Sequence, residues 1–362
     1  MRHTENLVVG LGIAGLNLCH QLEKAGKSFL VIDNCPSNSA SLIAGGIYNP
    51  VVLKRKIKSW KVDELFPQLV ETYSELELKL EGSFLQHNFP ILKPIGSVDE
   101  IKEWKDSVEN KRLETYVQSV QENLPVGPFQ SSVIGSVTIN NSGFVRIGKL
   151  LLSYREYLKE KGLLIEEPFD HSALQTERQT VSYQDISADR IIFSEGRFIS
   201  ENPYFNWLPF RPTKGQMLTV RVPDDLTPDK IYNQQFLLFP TEEKNIFRLG
   251  ATYEWHNLDE EPTQEATDEL IERAKRALDI EFEVLNAQAA VRPNVADRRP
   301  VIGQHPEIKN MFLFNGMGSK GVMLAPTFAK ELVDLICTRK PVNLEADLNR
   351  FAKRYRKSLM SS

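Results

Sequence analysis

Gly10, Gly12 and Gly15 follow one another in GxGxxG spacing, and Asp33 stands 18 residues after the third of them (33 − 15). Such a set can hold a dinucleotide. The first glycine permits a tight turn, the second lets the backbone approach a pyrophosphate, and the third lets helix and strand pack closely. Asp33 can accept from ribose hydroxyls at the distance along the chain that such an acid needs. Far downstream, Asn315-Gly-Met-Gly-Ser-Lys-Gly321 forms a second glycine turn before a helix, whose N–H groups can stabilise developing negative charge, as a flavin ring requires. Arg292, in Val291-Arg-Pro293, carries a planar fork suited to a carboxylate, and Lys320 adds a point charge. Each has a plainer use: a structural salt bridge for Arg292 and a solvated helix-start lysine for Lys320.

The elements that position these residues can be read from periodicity. Leu7 to Val9 is a short apolar run that suits a buried parallel strand and ends at Gly10. Ile13, Leu16, Cys19 and Leu22 then recur at helical spacing until Gly26 offers a C-cap, and Phe29 to Ile32 form a second strand ending at Asp33. Strand, glycine turn, helix, strand and acid together indicate nucleotide binding, although the motif does not separate FAD from NAD. Ser41-Leu-Ile-Ala-Gly-Gly46 suits a loop or helix start passing a phosphate or a flat ring, or a simple connection.

Further on, a helix is expected over Trp60 to Leu80, broken or begun at Pro67, and another over Val98 to Val108. Proline and glycine rise from Phe84 to Val137, where short strands such as Ser132 to Thr138 appear. A helix within Gly143 to Gly162 and strands over Leu163 to Glu166 and Ala188 to Gly196 return to the nucleotide-binding pattern. Strands over Met217 to Val222, Phe236 to Phe239 and Ile246 to Tyr253 precede a helix from Thr263 to Leu278 with a capping sequence. Strand Met311 to Phe314, the second glycine turn and a helix to Ile336 close the pattern.

The chain has 362 residues, room for two domains or one with a large insertion, and its 41% apolar and 25% charged content is ordinary for a globular enzyme. A net charge of −4 offers no general basic surface, so no nucleic-acid partner is expected. Cys19, Cys35 and Cys337 have no paired spacing and suggest neither a disulfide framework nor a zinc site; Cys19 and Cys337 are expected to pack within helices. No metal-ligand pair stands out among six histidines. The N-terminal apolar run is too short for a membrane span, and a cytoplasmic protein is expected.

With these motifs in place, the chain resembles the D-amino-acid oxidase superfamily of FAD-dependent oxidoreductases, most closely its glycine oxidase and sarcosine oxidase branch. The resemblance is carried in family order by the GxGxxG, Ser41 to Gly46, Pro212 to Gln216, Gly250-Ala-Thr252, Arg292-Pro293, Pro300-Val-Ile-Gly303 and Gly316 to Gly321. It implies an α/β fold, α+β overall, with a Rossmann-like FAD-binding domain and an inserted, mainly antiparallel β-sheet substrate domain. Residues 1–83, 141–215 and 288–362 would form the former, and 84–140 and 216–287 the latter. The resemblance further implies that Gly10, Gly12, Ile13, Ala14, Gly15 and Asp33 bind the ADP part of FAD. Ser41, Ala44, Gly45 and Gly46 would lie along pyrophosphate and flavin, with Phe169 near the adenine and Gly196 near the pyrophosphate. Gly316, Met317, Gly318, Ser319, Lys320 and Gly321 would face the flavin.

Arg292 matches the arginine of glycine oxidase that holds the substrate carboxylate, Lys320 a lysine of sarcosine oxidase with the same task, and Tyr253 a pocket-lining residue or a packing one. Leu237 stands for an aromatic, Arg298 for a glycine and Met317 for a histidine. No cysteine lies within Gln288 to Arg292 to tether a flavin, so FAD should be non-covalent. The implied reaction passes a hydride from the carbon beside a small amine or amino acid to flavin N5, giving an imine that water hydrolyses, with O2 or another acceptor taking the electrons. Two other readings are an oxidoreductase acting on a carboxymethylaminomethyl-type modified tRNA uridine, suggested by Gly316 to Gly321, and a flavin-binding protein without amine turnover.

Overall fold

A computed structural model describes residues 2–123, 127–177, 179–223 and 226–360. Residues 124–126 and 224–225 of the expected insert lie outside the described residues, as do the chain ends at 1 and 361–362.

Apolar runs with no polar alternation must be covered on both faces, and they form the interior of a parallel sheet. Leu164–Ile165, Phe29–Ile32, Arg2–Val9, Ile186–Phe193 and Met311–Asn315 lie side by side in that order, all parallel. Leu7, Val8, Leu30, Val31, Ile191 and Ile192 are fully buried at its centre. Antiparallel strands Leu174–Thr176, Val181–Tyr183 and Val301–Gln304 extend it. The Ile13–Lys24 helix follows the first strand and packs on the Gly321–Thr338 helix, so closely that a Cβ on Gly321 would sit 2.8 Å from Ile13 Cγ2. The two glycine turns thereby start neighbouring helices.

A second sheet is antiparallel apart from one parallel pair, Ile231–Asn233 with Ile91–Ile95, which joins segments far apart in the chain. Its other strands include Gly135–Ile139, Leu237–Pro240, Ile246–Gly250, Thr213–Arg221 and Glu283–Arg292. The last two pair from Thr213↔Arg292 to Arg221↔Glu283 and straddle the expected junctions at 215/216 and 287/288. Only Val291 and Arg292 of the Glu283–Arg292 strand stand out in the sequence, because its first four residues are polar or exposed and alternation is lost there.

Two other differences have plain causes. Pro67 neither breaks nor begins its helix: Val62–Leu80 runs through it. Burial of Leu65, Phe66, Leu69, Tyr73 and Leu76 on both sides of the proline offsets the one lost hydrogen bond, and Asp63 and Glu64 suit the helix start. Cys337 is exposed rather than packed, whereas Cys19 is buried and its thiol is pushed up by burial. Thr263 does cap its helix, accepting from the Ala266 N–H at 3.2 Å. Among the described residues no helix is long and apolar enough to cross a membrane.

Candidate functional site

A cleft of about 890 Å³ takes its walls from both sheets and from both glycine turns. Asp33, Cys35, Glu167 and Phe169 line it, as do Tyr253, Arg292, Met317 and Lys320. Gly10, Gly12, Ile13, Ala14, Ser41, Ala44, Gly45, Gly46, Gly196, Gly318, Ser319 and Gly321 line it too. Gly15 and Gly316 do not line it. Gly15 serves the turn from behind, where an added Cβ would fall 2.0 Å from Gly10 O.

The first helix opens with Gly12 as its N-cap, with no side-chain cap and no acid in its first turn. Ser41 Oγ accepts from Ile13 N at 3.0 Å, while Ala14 and Gly15 N–H have no protein acceptor among the described residues. Free donors, a positive dipole end and a glycine without a side chain make this a cradle for an anionic group such as a pyrophosphate. A Cβ on Gly12 would reach 3.1 Å from Ser41 Oγ and fill that space. Gly45 and Gly46 answer to protein packing as well as to the cleft: added Cβ atoms would meet the Phe239 ring at 2.8 Å and Val145 O at 1.9 Å.

Asp33 is less free than the motif suggests. Its oxygens accept from Leu11 N at 2.7 Å and Cys35 N at 2.8 Å, and it pairs with Arg155, whose other nitrogen reaches Glu166 at 2.9 Å. Arg155 is buried and lies 122 residues away, so local spacing gives no sign of it. Replacing Arg155 by Met should leave Asp33 with only its backbone donors and lower stability by about 1.5 kcal/mol, the worth of a charge-assisted hydrogen bond. The urea midpoint of the cofactor-free protein measures this, and an unchanged midpoint would show the pair to be neutral. Nearby, Phe169 stacks on Tyr183 with centroids 4.5 Å apart, and His171 lies 2.8 Å from Glu195 on the same wall. Glu195 holds the His171 imidazole above its usual range.

On the cleft wall, Arg292 closes its strand and lays its guanidinium over Gly215, where an added Cβ would lie 2.0 Å from Nη2. Nη1 donates to Thr252 O at 3.3 Å, and Cζ sits 4.7 Å from the centre of the Tyr253 ring. No carboxylate pairs with Arg292 among the described residues. Burial pushes its guanidinium down from its ordinary value, against a smaller opposing effect of Tyr253. Tyr253 is about half exposed at the cleft mouth and stacks on Trp255 at 6.2 Å.

The Lys214-Gly-Gln216 segment explains this arrangement. Lys214 pairs with Asp259, Gln216 N donates to Thr252 Oγ1 at 2.9 Å, and the Gln216 amide bonds Thr263 and Thr267. The loop carrying Thr252 and Tyr253 is thus tied at both ends, which sequence spacing alone did not reveal.

Lys320 Nζ comes within 3.4 Å of Ser59 Oγ and has no carboxylate partner among the described residues. By surface area the residue is exposed, yet protein surrounds its amine, because the exposed side opens into the cleft. The surrounding atoms depress its pKa, first by desolvation and then through Arg299 and Arg298. Arg248 was not anticipated either. It donates to Ile43 O at 3.0 Å and ties the Ala40–Ile43 turn to the antiparallel sheet. Cys35, whose N–H donates to Asp33, is the cysteine of the cleft wall, and no cluster of potential metal ligands occurs among the described residues.

The chain is similar to known proteins along most of its length. The family model described as DAO, FAD dependent oxidoreductase, matches residues 6–335. Glycine oxidase of Pseudomonas aeruginosa is 25% identical over 360 residues, covering 93% of this chain and 95% of that one. The structure of glycine oxidase from Geobacillus kaustophilus superposes with a TM-score of 0.78 at 20% identity, covering 94% of this chain and 96% of that one. A tRNA 5-methylaminomethyl-2-thiouridine biosynthesis bifunctional protein of Marinobacter nauticus is 29% identical over 155 residues, 40% of this chain and 24% of that one.

Proposed function

The chain belongs to the DAO family of FAD-dependent oxidoreductases, and we propose that it oxidises the C–N bond of a small amino acid or secondary amine. The observation that carries this reading is one cleft joining a dinucleotide cradle at Gly12 to an arginine without a carboxylate partner, Arg292. FAD would be held non-covalently by the first helix N-terminus, Ser41 and Asp33 at one end and by the Gly318 to Gly321 turn at the other. The chemistry it supplies when bound is acceptance of a hydride from the carbon beside the amine.

The protein's own residues then need only bind, orient and polarise. Arg292 clamps a carboxylate with its planar fork, fixing the reacting carbon, and Lys320 adds positive charge from the opposite glycine turn. Tyr253 covers Arg292 and shields that contact from water. The carbon loses a hydride and the nitrogen a proton, leaving an imine that water hydrolyses to a carbonyl compound and an amine. O2 or another acceptor takes the two electrons.

Purified protein should be yellow and release FAD rather than FMN on denaturation. Anaerobic addition of amino acids and N-alkyl glycines should bleach the flavin band for at least one of them. Bound FAD that no amine bleaches would leave a flavin-binding protein without amine turnover. Bleaching by a modified tRNA alone would move the substrate to RNA.

A further inference from the structure

We infer that the cleft takes a substrate with a long arm ending in a neutral hydrogen-bonding group, held by the side-chain amides of Asn233 and Gln234. The inference rests on the proposed function for the amine and for the carboxylate at Arg292, and on the second sheet for the arm.

Four cleft-lining residues stand in cross-strand register on that sheet. Met217 pairs with Gly250, Gly250 with Leu237, and Leu237 with Asn233, one on each of four neighbouring strands. Opposed residues share a face, so the row forms one floor. It begins two residues from Gly215, which lies under the Arg292 guanidinium, and ends at Asn233. Three strand spacings of about 4.8 Å and two residues along the strand set Gly215 and Asn233 roughly 16 Å apart. Subtracting a hydrogen bond of about 2.9 Å at each end leaves roughly 10 Å between the carboxylate and the second group, about three residues of extended chain. An acid as short as glycine cannot span it.

The floor turns from apolar to polar at its end. Asn233 and Gln234 are half-buried on the cleft wall, and their side-chain amides have no hydrogen-bond partner among the described residues. Their backbone is already engaged: Asn233 pairs with Leu237, and Gln234 N donates to Phe236 O at 3.1 Å. Gln235 differs, since its Oε1 accepts from Arg276 Nη1 at 3.3 Å at the end of the Gln264–Lys275 helix. Arg273, the cation that this helix brings to the cleft wall, pairs with Glu269. Each unspent amide holds two N–H donors and a carbonyl acceptor. A carboxylate uses only the donors and an ammonium only the acceptor, whereas a carboxamide, a peptide unit or a hydroxyl uses both. Two such amides in succession therefore select a neutral group that donates and accepts.

Acids without an amine test this without turnover. FAD-loaded protein is titrated with three acids of similar reach, the monoamide of nonanedioic acid, nonanedioate itself and decanoate, and with the short amide succinamate. Calorimetry and the flavin spectrum follow binding. The long amide should bind about 5- to 10-fold more tightly than nonanedioate or decanoate, the gain of one or two neutral hydrogen bonds, and more tightly than succinamate. Asn233→Leu and Gln234→Met should each reduce its preference over decanoate at least about twofold, and together bring it to near unity, while succinamate binding stays as in the native protein. Equal binding of the long amide and decanoate by the native protein overturns the inference, as does tighter binding of nonanedioate. Loss of FAD from both variants would assign the amides to the cofactor and overturn it too. Should Asn233→Leu fail to fold, Gln234→Met, outside the strand, decides, and an unchanged preference there counts against the proposal. A preference for the long amide in a protein that no amine bleaches would sink the amine reading and leave the amide subsite standing. Bleaching by amino acids with no such preference would do the reverse.

Discussion

A Gly12→Val protein is expected to fold and to come out colourless. Gly12 has an extended backbone, φ −77° and ψ −165°, that valine adopts readily, so the substitution imposes no backbone strain and asks only the Ser41 side chain to give way. Its added atoms project toward Ser41 Oγ, 3.1 Å from the first of them, into the space before the free N–H groups of Ala14 and Gly15. Losing two charge-assisted contacts there costs about 3 to 6 kcal/mol, or roughly 10²- to 10⁴-fold in FAD affinity. Gly15→Ala should behave in the opposite way. Its Cβ would fall 2.0 Å from the carbonyl oxygen of Gly10, which is backbone and cannot swing aside, so the turn itself must open. Circular dichroism and thermal melting separate the two: native-like secondary structure without FAD for Gly12→Val, and a clearly lowered melting temperature for Gly15→Ala. Native FAD affinity in Gly12→Val would place the phosphates elsewhere.

That contrast also shows what could be read from the sequence and why. The GxGxxG and its flanks are local: turn, helix and strands lie within 27 residues, so periodicity and glycine spacing suffice to build them. Arg292 and Lys320 could be named because the motifs that carry them are short and distinctive. Their lack of carboxylate partners could not, since that depends on every acid that folding brings near. Arg155 on Asp33, Ser59 on Lys320 and Arg248 on Ile43 are likewise products of long-range packing, each joining residues more than 100 positions apart. Gly215 illustrates the middle case. It sits in a recognisable Lys-Gly-Gln segment, but the guanidinium that demands a glycine there arrives from the neighbouring strand, 77 residues later (292 − 215).

Gly215 supplies the second way to test Arg292. If Arg292 holds the substrate carboxylate, Arg292→Ala should weaken carboxylate substrates about 10- to 150-fold, the worth of a charge-assisted contact of 1.5 to 3 kcal/mol. Arg292→Lys keeps the charge but loses the fork and should fall in between. Gly215→Ala leaves the arginine in the sequence while placing a methyl group where its guanidinium now lies, 2.0 to 2.3 Å from three of its atoms. A flexible side chain can yield, so the fold should survive; the fork, displaced from Thr252 O and the Tyr253 ring, should bind carboxylates less well than in the native protein. FAD content should stay close to native in all three variants, because the free N–H groups of Ala14 and Gly15 and the Ser41 hydroxyl are untouched. Amines without a carboxylate should be poor substrates of the native protein and lose little further, since the contact was never available to them. Equal losses for amines with and without a carboxylate would remove Arg292 from substrate binding. Loss of FAD together with activity would make it a structural residue whose charge the cofactor, not the substrate, neutralises.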